Sequence, residues 1–151
     1  MHLAGALGGV QRDPERWPMI IGPFVTQQDI VSVRHDDTLA EAAARIGARR
    51  VGSAVVSPQP RGPGFGIITE RDLLRAMADG VDPATTHVAA YMTSDAVTVT
   101  PEWHVVDAAR TMMERGFRHL IVVDKGRLVG VLSIRDMVKA LLQDRQRMAA
   151  G

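Results

Sequence analysis

The chain has 151 residues, of which 46% are hydrophobic and 23% are charged, a balance typical of a globular protein with a buried core. It contains no cysteine, which excludes a disulfide framework, a thiolate zinc site and a cysteine nucleophile. The formal net charge of +1 gives no general attraction to nucleic acid or to an anionic membrane. An anion-binding site would therefore have to be local.

The first residues carry neither a membrane span nor a secretory signal. No apolar run approaches the roughly 20 residues that a membrane-spanning helix needs, and MHLAGALGGVQRDPERW becomes charged too soon for a signal peptide. We therefore expect a cytoplasmic protein with no membrane association. Residues 1–23 form an N-terminal extension, in which Trp17, Met19 and Ile20 are apolar enough to pack on the remainder of the chain or across a dimer interface.

The rest of the sequence contains an internal repeat. A shift of 66 positions aligns residues 31–56 with 97–122, and a shift of 64 aligns 66–77 with 130–141. The change of shift lies in the loop between these blocks, where insertions are tolerated. The predicted organisation is the extension at 1–23, repeat 1 at 24–80, a linker and repeat 2 at 81–143, and a tail at 144–151.

Each repeat predicts a strand, a helix, two strands and a second helix. The first strands are the β-branched runs IVSV and AVTV, and the middle strands are the apolar runs SAVV and LIVV. In repeat 1, Thr38 and Glu41 predict a capping box at the helix start, and Gly47 suggests where that helix weakens. In repeat 2, Gly116 predicts a left-handed helix end, and DKG at 124–126 predicts a tight turn between two strands.

A unit of 50 to 60 residues is marginally stable alone, roughly the size at which a single core becomes too small. Two such units packed sheet against sheet would bury a shared apolar surface. The predicted fold is therefore a mixed α/β (α+β) fold, in which two β-α-β-β-α repeats pack pseudo-symmetrically through their sheets.

The second helix of each repeat follows a hydroxyl residue with an aspartate three positions later. GIITERD at 66–72 contains Thr69 and Asp72, and GVLSIRD at 130–136 contains Ser133 and Asp136. One interpretation is a helix N-cap alone, because this spacing is that of a capping box. The other is a ribose site, since a carboxylate held at a helix N-terminus accepts hydrogen bonds from two vicinal hydroxyls. The sequence leaves both open.

Three segments, YMTSDAVTVTP, GFRHLIVVDKGRLVGVLSIRD and GIITERD, together with the repeated order of elements, resemble a tandem pair of cystathionine-β-synthase (CBS) domains, or Bateman module. The resemblance covers roughly residues 24 to 143 and implies a regulatory module. It implies that adenosyl ligands, namely AMP, ADP, ATP or S-adenosylmethionine, bind in clefts between the repeats. Pairs of this family commonly dimerise, so the resemblance also implies a homodimer. Such modules are usually attached to an enzyme or transporter, and we expect a stand-alone form here.

The resemblance implies two sites, each built from the closing helix of one repeat and the opening strand of the other. In repeat 2, Arg118 and His119 stand where similar repeats carry residues that contact phosphate. The implied stronger site consists of Ser133, Asp136, Arg118, His119, Thr26, Ile30 and Val31. The implied weaker site consists of Thr69, Asp72, Thr93, Ala96 and Val97. Apolar walls suit the flat face of an adenine.

The two sites are expected to be unequal. Repeat 1 has Gly52 and Ser53 where Arg118 and His119 would fall, which leaves phosphate binding at its site in question. Arg49, Arg50 or Arg71 could substitute.

Three functions remain open on the sequence. The leading one is an adenine-nucleotide sensor whose occupancy is read by an unknown protein partner. The second is a ligand-free scaffold, in which the two aspartates only cap helices. An enzyme has least support, because no nucleophile, base and orienting group can be placed together, and no catalytic residue is assigned. The five histidines show no metal-ligand spacing, so no metal is expected. Aromatic residues amount to 4%, and none interleaves with the basic C-terminal tail, so no nucleic-acid binding is expected.

Overall fold

A computed structural model describes residues 19–25, 30–62 and 64–150. Each repeat has the predicted order of strand, helix, strand, strand and helix. The elements of repeat 1 are β1 Ser32–Val33, α1 Leu39–Arg49, β2 Ser53–Val56, β3 Gly66–Thr69 and α2 Glu70–Ala78. Those of repeat 2 are β4 Thr98–Val99, α3 Val105–Arg115, β5 His119–Asp124, β6 Arg127–Ser133 and α4 Ile134–Ala149. Short 3-10 helices occupy Gly22–Phe24 and Val88–Ala90. Helix α4 therefore continues into the predicted tail.

The strands form two three-stranded sheets with the same topology. In repeat 1, β1 is parallel to β2, and β2 is antiparallel to β3. In repeat 2, β4, β5 and β6 are arranged in the same way, with an irregularity between Val122 and Val123. The predicted tight turn joins β5 to β6 through Lys125 and Gly126, both with positive φ (50° and 78°), as a two-residue hairpin turn of this type requires.

The first helices of the two repeats end differently. Helix α1 begins at the predicted capping box of Thr38 and Glu41. Gly47 does not end it, because the helix continues to Arg49 and stops at Arg50, which adopts the left-handed conformation with φ 54°. An interior glycine costs a helix only about 1 kcal/mol, which the packed face of α1 can offset. Helix α3 stops at Gly116 with φ 71°, as predicted.

The apolar residues form one core in each repeat and a third core between the sheets. The cores of the repeats lie under their helices and include the buried Leu39 in repeat 1 and Met112 in repeat 2. The third core contains Val55, Ile67 and Ile121, all buried, one strand residue from each of β2, β3 and β5. The repeats therefore pack through their sheets, as the fold prediction required.

The segment before each repeat packs on the other repeat. Residues 19–25 lie against repeat 2, where the Ile21 amide donates to the Trp103 carbonyl (2.9 Å) and Ile21 is fully buried. Met19 also packs against the repeat 2 core, whereas Ile20 stays 40% exposed and bridges His104 through its backbone. The expectation of packing on the chain thus holds for Met19, and Trp17 lies outside the described residues.

The linker between the repeats makes the equivalent contacts with repeat 1. The Leu39 amide donates to the Thr86 carbonyl (2.9 Å), and the Val88 amide donates to the Asp37 carbonyl (2.8 Å). Val88 is fully buried in the repeat 1 core. The linker also brings Thr93, shortly before β4, against Ile67 of β3, the strand that leads into α2. Across the described ranges, no helix combines the length and apolarity of a membrane span.

Candidate ligand-binding clefts

A cleft of about 260 Å³, called cleft 1 here, lies at the N-terminus of α2 and against the strand that opens repeat 2. The five residues of the implied weaker site all line it: Thr69, Asp72, Thr93, Ala96 and Val97. Ile67 and Ile121 from the core between the sheets also line it, together with Phe117. The structure therefore brings a carboxylate and an apolar surface together in one cavity.

Backbone pairing closes one side of cleft 1. The Ile67 amide donates to the Thr93 carbonyl (3.0 Å), and the Thr93 amide donates back to the Ile67 carbonyl (2.9 Å). The Ala96 amide donates to the Phe65 carbonyl (3.0 Å). A Cβ atom at Gly66 would lie 2.9 Å from the Thr93 carbonyl oxygen, so only glycine allows this close approach. The glycine of the GIITERD motif thus shapes the cleft.

Asp72 is held in cleft 1 by the helix cap. Its Oδ2 accepts hydrogen bonds from the Thr69 amide (2.9 Å) and the Thr69 hydroxyl (3.0 Å), and its own amide donates to that hydroxyl (3.3 Å). Its Oδ1 lies 3.6 Å from Nη2 of Arg75. The capping-box interpretation is therefore confirmed for the geometry of this pair. Because the cap occupies only Oδ2, it does not exclude an acceptor role for Oδ1.

A larger cleft of about 540 Å³, called cleft 2 here, lies at the N-terminus of α4. Ser133, Asp136, Arg118 and His119 line it, as the implied stronger site requires. Ile30 and Val31 are not among its described lining residues. Ile30 packs at the core between the sheets, and Val31 is buried in the repeat 1 core. Thr26 lies outside the described residues.

The cap at cleft 2 repeats the cap at cleft 1. Oδ2 of Asp136 accepts from the Ser133 amide and from the Ser133 hydroxyl, each at 2.9 Å, and the Asp136 amide donates to that hydroxyl at 3.2 Å. Oδ1 of Asp136 accepts no hydrogen bond from a described residue. The duplicated backbone therefore presents the same carboxylate geometry twice.

The arginines considered as substitutes in repeat 1 separate between the clefts. Arg71 lines cleft 1, whereas Arg49 and Arg50 line cleft 2. Sequence reasoning missed Arg135 and Lys139, which also line cleft 2. Arg135 and Lys139 are four positions apart and follow the Ser133 cap, so they lie on one face of α4. This spacing was the signal that the sequence offered.

Four residues line both clefts and form what we call the shared wall: Gly52, Glu70, Arg118 and His119. The Gly52 carbonyl accepts from the Glu70 amide (3.0 Å), and the Arg118 carbonyl accepts from the Ile134 amide (2.8 Å). A Cβ atom at Gly52 would lie 2.8 Å from Nε2 of His119, so the imidazole lies directly against this glycine. Arg118 and His119 are therefore available to both clefts, not to cleft 2 alone.

The imidazole in the shared wall is largely uncharged at neutral pH. Burial lowers the pKa of His119 below its ordinary value of 6.5, and the positive charge of Arg118 acts in the same direction. The carboxylates of Glu70 and Asp136 oppose this shift. In the described part of the chain, no group of three or more histidine or carboxylate side chains is arranged to hold a metal ion.

The sequence model of the CBS domain matches this chain twice, at residues 24–79 and at residues 88–143. The chain belongs to the CBS-domain family. The protein MJ1225 of Methanocaldococcus jannaschii is 32% identical over 120 residues, which cover 80% of this chain and 42% of that protein. The chain thus spans less than half the length of this relative.

Solved structures of CBS pairs have the same fold. The hexameric CBS-CP12 protein of bloom-forming cyanobacteria is 30% identical with a TM-score of 0.74, and the match covers 80% of this chain and 72% of that one. The Pyrobaculum aerophilum protein PAE2072, complexed with AMP, is 33% identical with a TM-score of 0.70, over 78% and 89% of the two chains. The CBS pair of MJ0100, complexed with 5′-methylthioadenosine and S-adenosyl-L-methionine, is 19% identical with a TM-score of 0.71, over 82% and 99%, a likeness of fold alone.

Proposed function

We propose that the protein is a regulatory module that binds an adenosyl ligand in cleft 1 and transmits its occupancy to a protein partner. The observation that carries this proposal is the meeting of Asp72 with Thr93, Ala96 and Val97 of the other repeat in one cavity. The AMP complex of PAE2072, a CBS protein 33% identical to this chain, supports the ligand class. Nothing in the proposal requires a catalytic step.

Each part of an adenosyl ligand has a matching surface in cleft 1. The apolar side chains of Ile67, Ala96 and Val97 suit the faces of an adenine. Oδ1 of Asp72, which the helix cap leaves unused, is an acceptor for a ribose hydroxyl. Arg118 is the guanidinium that a phosphate or a ligand carboxylate would meet.

We propose the same use for cleft 2, where Ser133 and Asp136 would accept the ribose and Arg118 and His119 would meet phosphate. Thr26, Ile30 and Val31 remain the predicted contribution of repeat 1 to this second site. AMP, ADP, ATP and S-adenosylmethionine are the candidate ligands.

The experiment is a thermal and calorimetric titration with these four compounds, with guanosine and GMP as controls. A ligand that binds only the folded state raises its stability by about 2.7 kcal/mol at 100 times its dissociation constant. We expect at least one adenosyl compound to raise the melting temperature, and the guanosine compounds to raise it less. No shift with any adenosyl compound at millimolar concentration would reject the proposal.

A second candidate function, a ligand-free scaffold, is favoured by one observation. Both aspartates already serve complete capping boxes, so helix stability alone accounts for their presence. The scaffold predicts that Asp72→Ala and Asp136→Ala lower stability by about 1 kcal/mol each and change no ligand affinity. The adenosyl proposal predicts a loss of affinity as well.

We also propose a homodimer. Helices α2 and α4 expose apolar side chains at positions related by the repeat, Leu74 and Met77 on α2 and Val138 and Leu141 on α4. A surface that is pseudo-symmetric in this way can meet its own copy around a twofold axis. Sedimentation should therefore give a dimer that Leu74→Glu combined with Val138→Glu converts to a monomer. The CBS-CP12 neighbour is hexameric, so a higher oligomer is the main alternative. Sedimentation of the unmodified chain as a higher oligomer or as a monomer would contradict the homodimer.

A further inference from the structure

Arg75 of α2 connects the carboxylate of cleft 1 to the linker between the repeats. Its Nη2 lies 3.6 Å from Oδ1 of Asp72 and donates to the Tyr91 carbonyl at 3.1 Å. Its guanidinium carbon lies 5.4 Å from the centre of the Tyr91 ring, within the range of a cation–π contact. The Tyr91 hydroxyl in turn donates to Oδ2 of Asp79 at 2.7 Å. We call Arg75, Tyr91 and Asp79 the linker clamp.

The linker clamp lies outside the cavity that it touches. Neither Arg75 nor Tyr91 is among the described residues that line cleft 1. The Arg75 side chain is 59% exposed, whereas that of Asp72 is only 13% exposed. Tyr91 stands two residues before Thr93, whose backbone pairs with Ile67 and closes one side of the cleft. The clamp therefore joins, from outside, the start of α2 and the linker segment that borders the cavity.

The contact with Arg75 orients Oδ1 of Asp72 without using it up as an acceptor. A separation of 3.6 Å is longer than a hydrogen bond, and a carboxylate oxygen accepts from more than one donor. Oδ2 is fixed separately by the amide and the hydroxyl of Thr69. The carboxylate is thus held at both oxygens, and Oδ1 keeps acceptor capacity for a ligand.

Cleft 2 does not repeat this arrangement in the part of the chain that the structure describes. The shift of 64 positions aligns Arg75 with Lys139, which lines cleft 2. Among the described residues, however, Lys139 forms no ion pair with Asp136, whereas Arg75 forms one with Asp72. The linker clamp is therefore an addition to the duplicated frame, made at cleft 1.

We propose that Arg75 is a positioning residue of cleft 1, which orients Oδ1 of Asp72 toward the ligand and transmits the occupancy of the cleft to the linker through Tyr91. A ribose hydroxyl that donates to Oδ1 satisfies negative charge that the guanidinium otherwise meets. Because the same guanidinium also contacts the Tyr91 carbonyl and ring, a change in one contact alters the other. The inference rests on the proposed adenosyl function of cleft 1 and specifies how that site is read.

The first experiment compares adenosine with 2′,3′-dideoxyadenosine, which lacks both ribose hydroxyls, by calorimetry on the full chain. Both ligands are uncharged, so long-range attraction does not enter. Arg75→Met should weaken adenosine binding roughly two- to fivefold, the effect of losing a partly exposed ion pair. It should leave dideoxyadenosine unchanged, because that ligand cannot donate to Asp72. Equal weakening of both ligands, or of neither, would overturn the positioning role.

Two further variants separate positioning from stability. Methionine forms helices about as well as arginine, so Arg75→Met should melt close to the unmodified protein. Arg75→Lys keeps a cation near Asp72 and should recover most of the adenosine affinity. The matched control is Arg115→Met, which removes one exposed positive charge from the end of α3 and lines neither cleft. Loss of adenosine affinity in the control, or no recovery with lysine, would contradict the proposal.

The second experiment observes the linker directly, because Tyr91 is the only tyrosine in the sequence. A ring-labelled tyrosine therefore reports one residue by nuclear magnetic resonance. That ring responds to its neighbours, since the hydrogen bond to Asp79 raises the pKa of Tyr91 and the charge of Arg75 acts in the opposite direction. Saturating adenosine should shift the Tyr91 ring signal in the unmodified chain and in Arg115→Met, but not in Arg75→Met.

Saturation removes the weaker affinity of the variant from this comparison. A ring shift of the same size with and without Arg75, or no shift in the unmodified chain, would show that the clamp does not transmit occupancy. The two proposals fail in different ways. If the unmodified chain binds no adenosyl compound, the proposed function fails and the coupling fails with it. If adenosine binds and Arg75→Met changes neither its affinity nor the Tyr91 response, only the inference about Arg75 fails.

Discussion

Cleft 1 and cleft 2 have the same frame but different walls. Both contain an aspartate whose Oδ2 is fixed by a hydroxyl residue three positions earlier, with hydrogen bonds that agree within 0.1 Å. Their walls differ at several aligned positions, among them Gly52 against Arg118 and Arg50 against Gly116. A duplicated fold therefore conserves the position of a carboxylate, while a few residues at element ends decide the charge around it.

The shared wall makes these differences act on both clefts. Arg118 and His119 belong to repeat 2 but line cleft 1 as well, because Gly52 leaves room for the imidazole. The absence of a side chain at Gly52 of repeat 1 thus makes room for the imidazole of His119 of repeat 2. We expect changes at this wall to alter both clefts, and changes at each cap to alter one.

The largest expected effect separates binding from capping. Asp72→Ala should weaken adenosyl binding by about 1.5 to 3 kcal/mol, because a charged acceptor is lost, and should lower stability by about 1 kcal/mol. Glu41→Ala is the matched control, since Glu41 completes the same kind of capping box on α1 and lines neither cleft. It should lower stability alone. Calorimetry and urea unfolding on both variants measure the two quantities, and unchanged affinity in Asp72→Ala would favour the scaffold.

The next effect tests the backbone frame of cleft 1. Gly66→Ala would place a Cβ atom 2.9 Å from the Thr93 carbonyl oxygen, and backbone cannot rotate away as a side chain can. We expect a loss of stability of about 1 to 3 kcal/mol, typical of overpacking, together with weaker adenosyl binding. Urea unfolding measures the first quantity and calorimetry the second. Unchanged values for both would show that the Ile67–Thr93 pairing is not needed to form the cleft.

A smaller effect tests the shared wall. Gly52→Ala would bring a Cβ atom to 2.8 Å from Nε2 and 3.0 Å from Cε1 of His119, but the imidazole can turn to avoid it. We therefore expect a stability loss below about 1 kcal/mol and altered affinities in both clefts. Titration of adenosine and of ATP checks this expectation. An effect confined to one ligand would contradict the idea of a common wall.

The order of elements, the caps and the hairpin turn were predictable because their causes are local. A capping box depends on two residues three positions apart, and the hairpin turn depends only on its own residues, Lys125 and Gly126. The left-handed conformation of Arg50 could not be predicted in this way, because the residue that usually ends a helix in this conformation is glycine. The sharing of Arg118 and His119 depends on how closely two sheets approach. That distance is set by packing between residues far apart in the chain.

The smallest expected effect is a pH dependence that arises in the shared wall. Burial lowers the pKa of folded His119 below 6.5, so the unfolded state binds more protons between the folded pKa and 6.5. Stability should therefore be constant above this window and fall as the pH decreases through it. His119→Gln should reduce that fall, measured by urea unfolding at about pH 5.5 and about pH 7.5.

The same residue should couple pH to anion binding. Burial holds the pKa of His119 below its ordinary value although Glu70 and Asp136 favour the protonated imidazole, and the negative charge of a bound phosphate would raise this lowered pKa. ATP should then bind more tightly as the pH falls toward 6, with proton uptake visible as a buffer-dependent heat in calorimetry. His119→Gln should abolish the uptake. Uptake that persists in this variant would show that the proton goes elsewhere and that the imidazole in the shared wall does not respond to the anion.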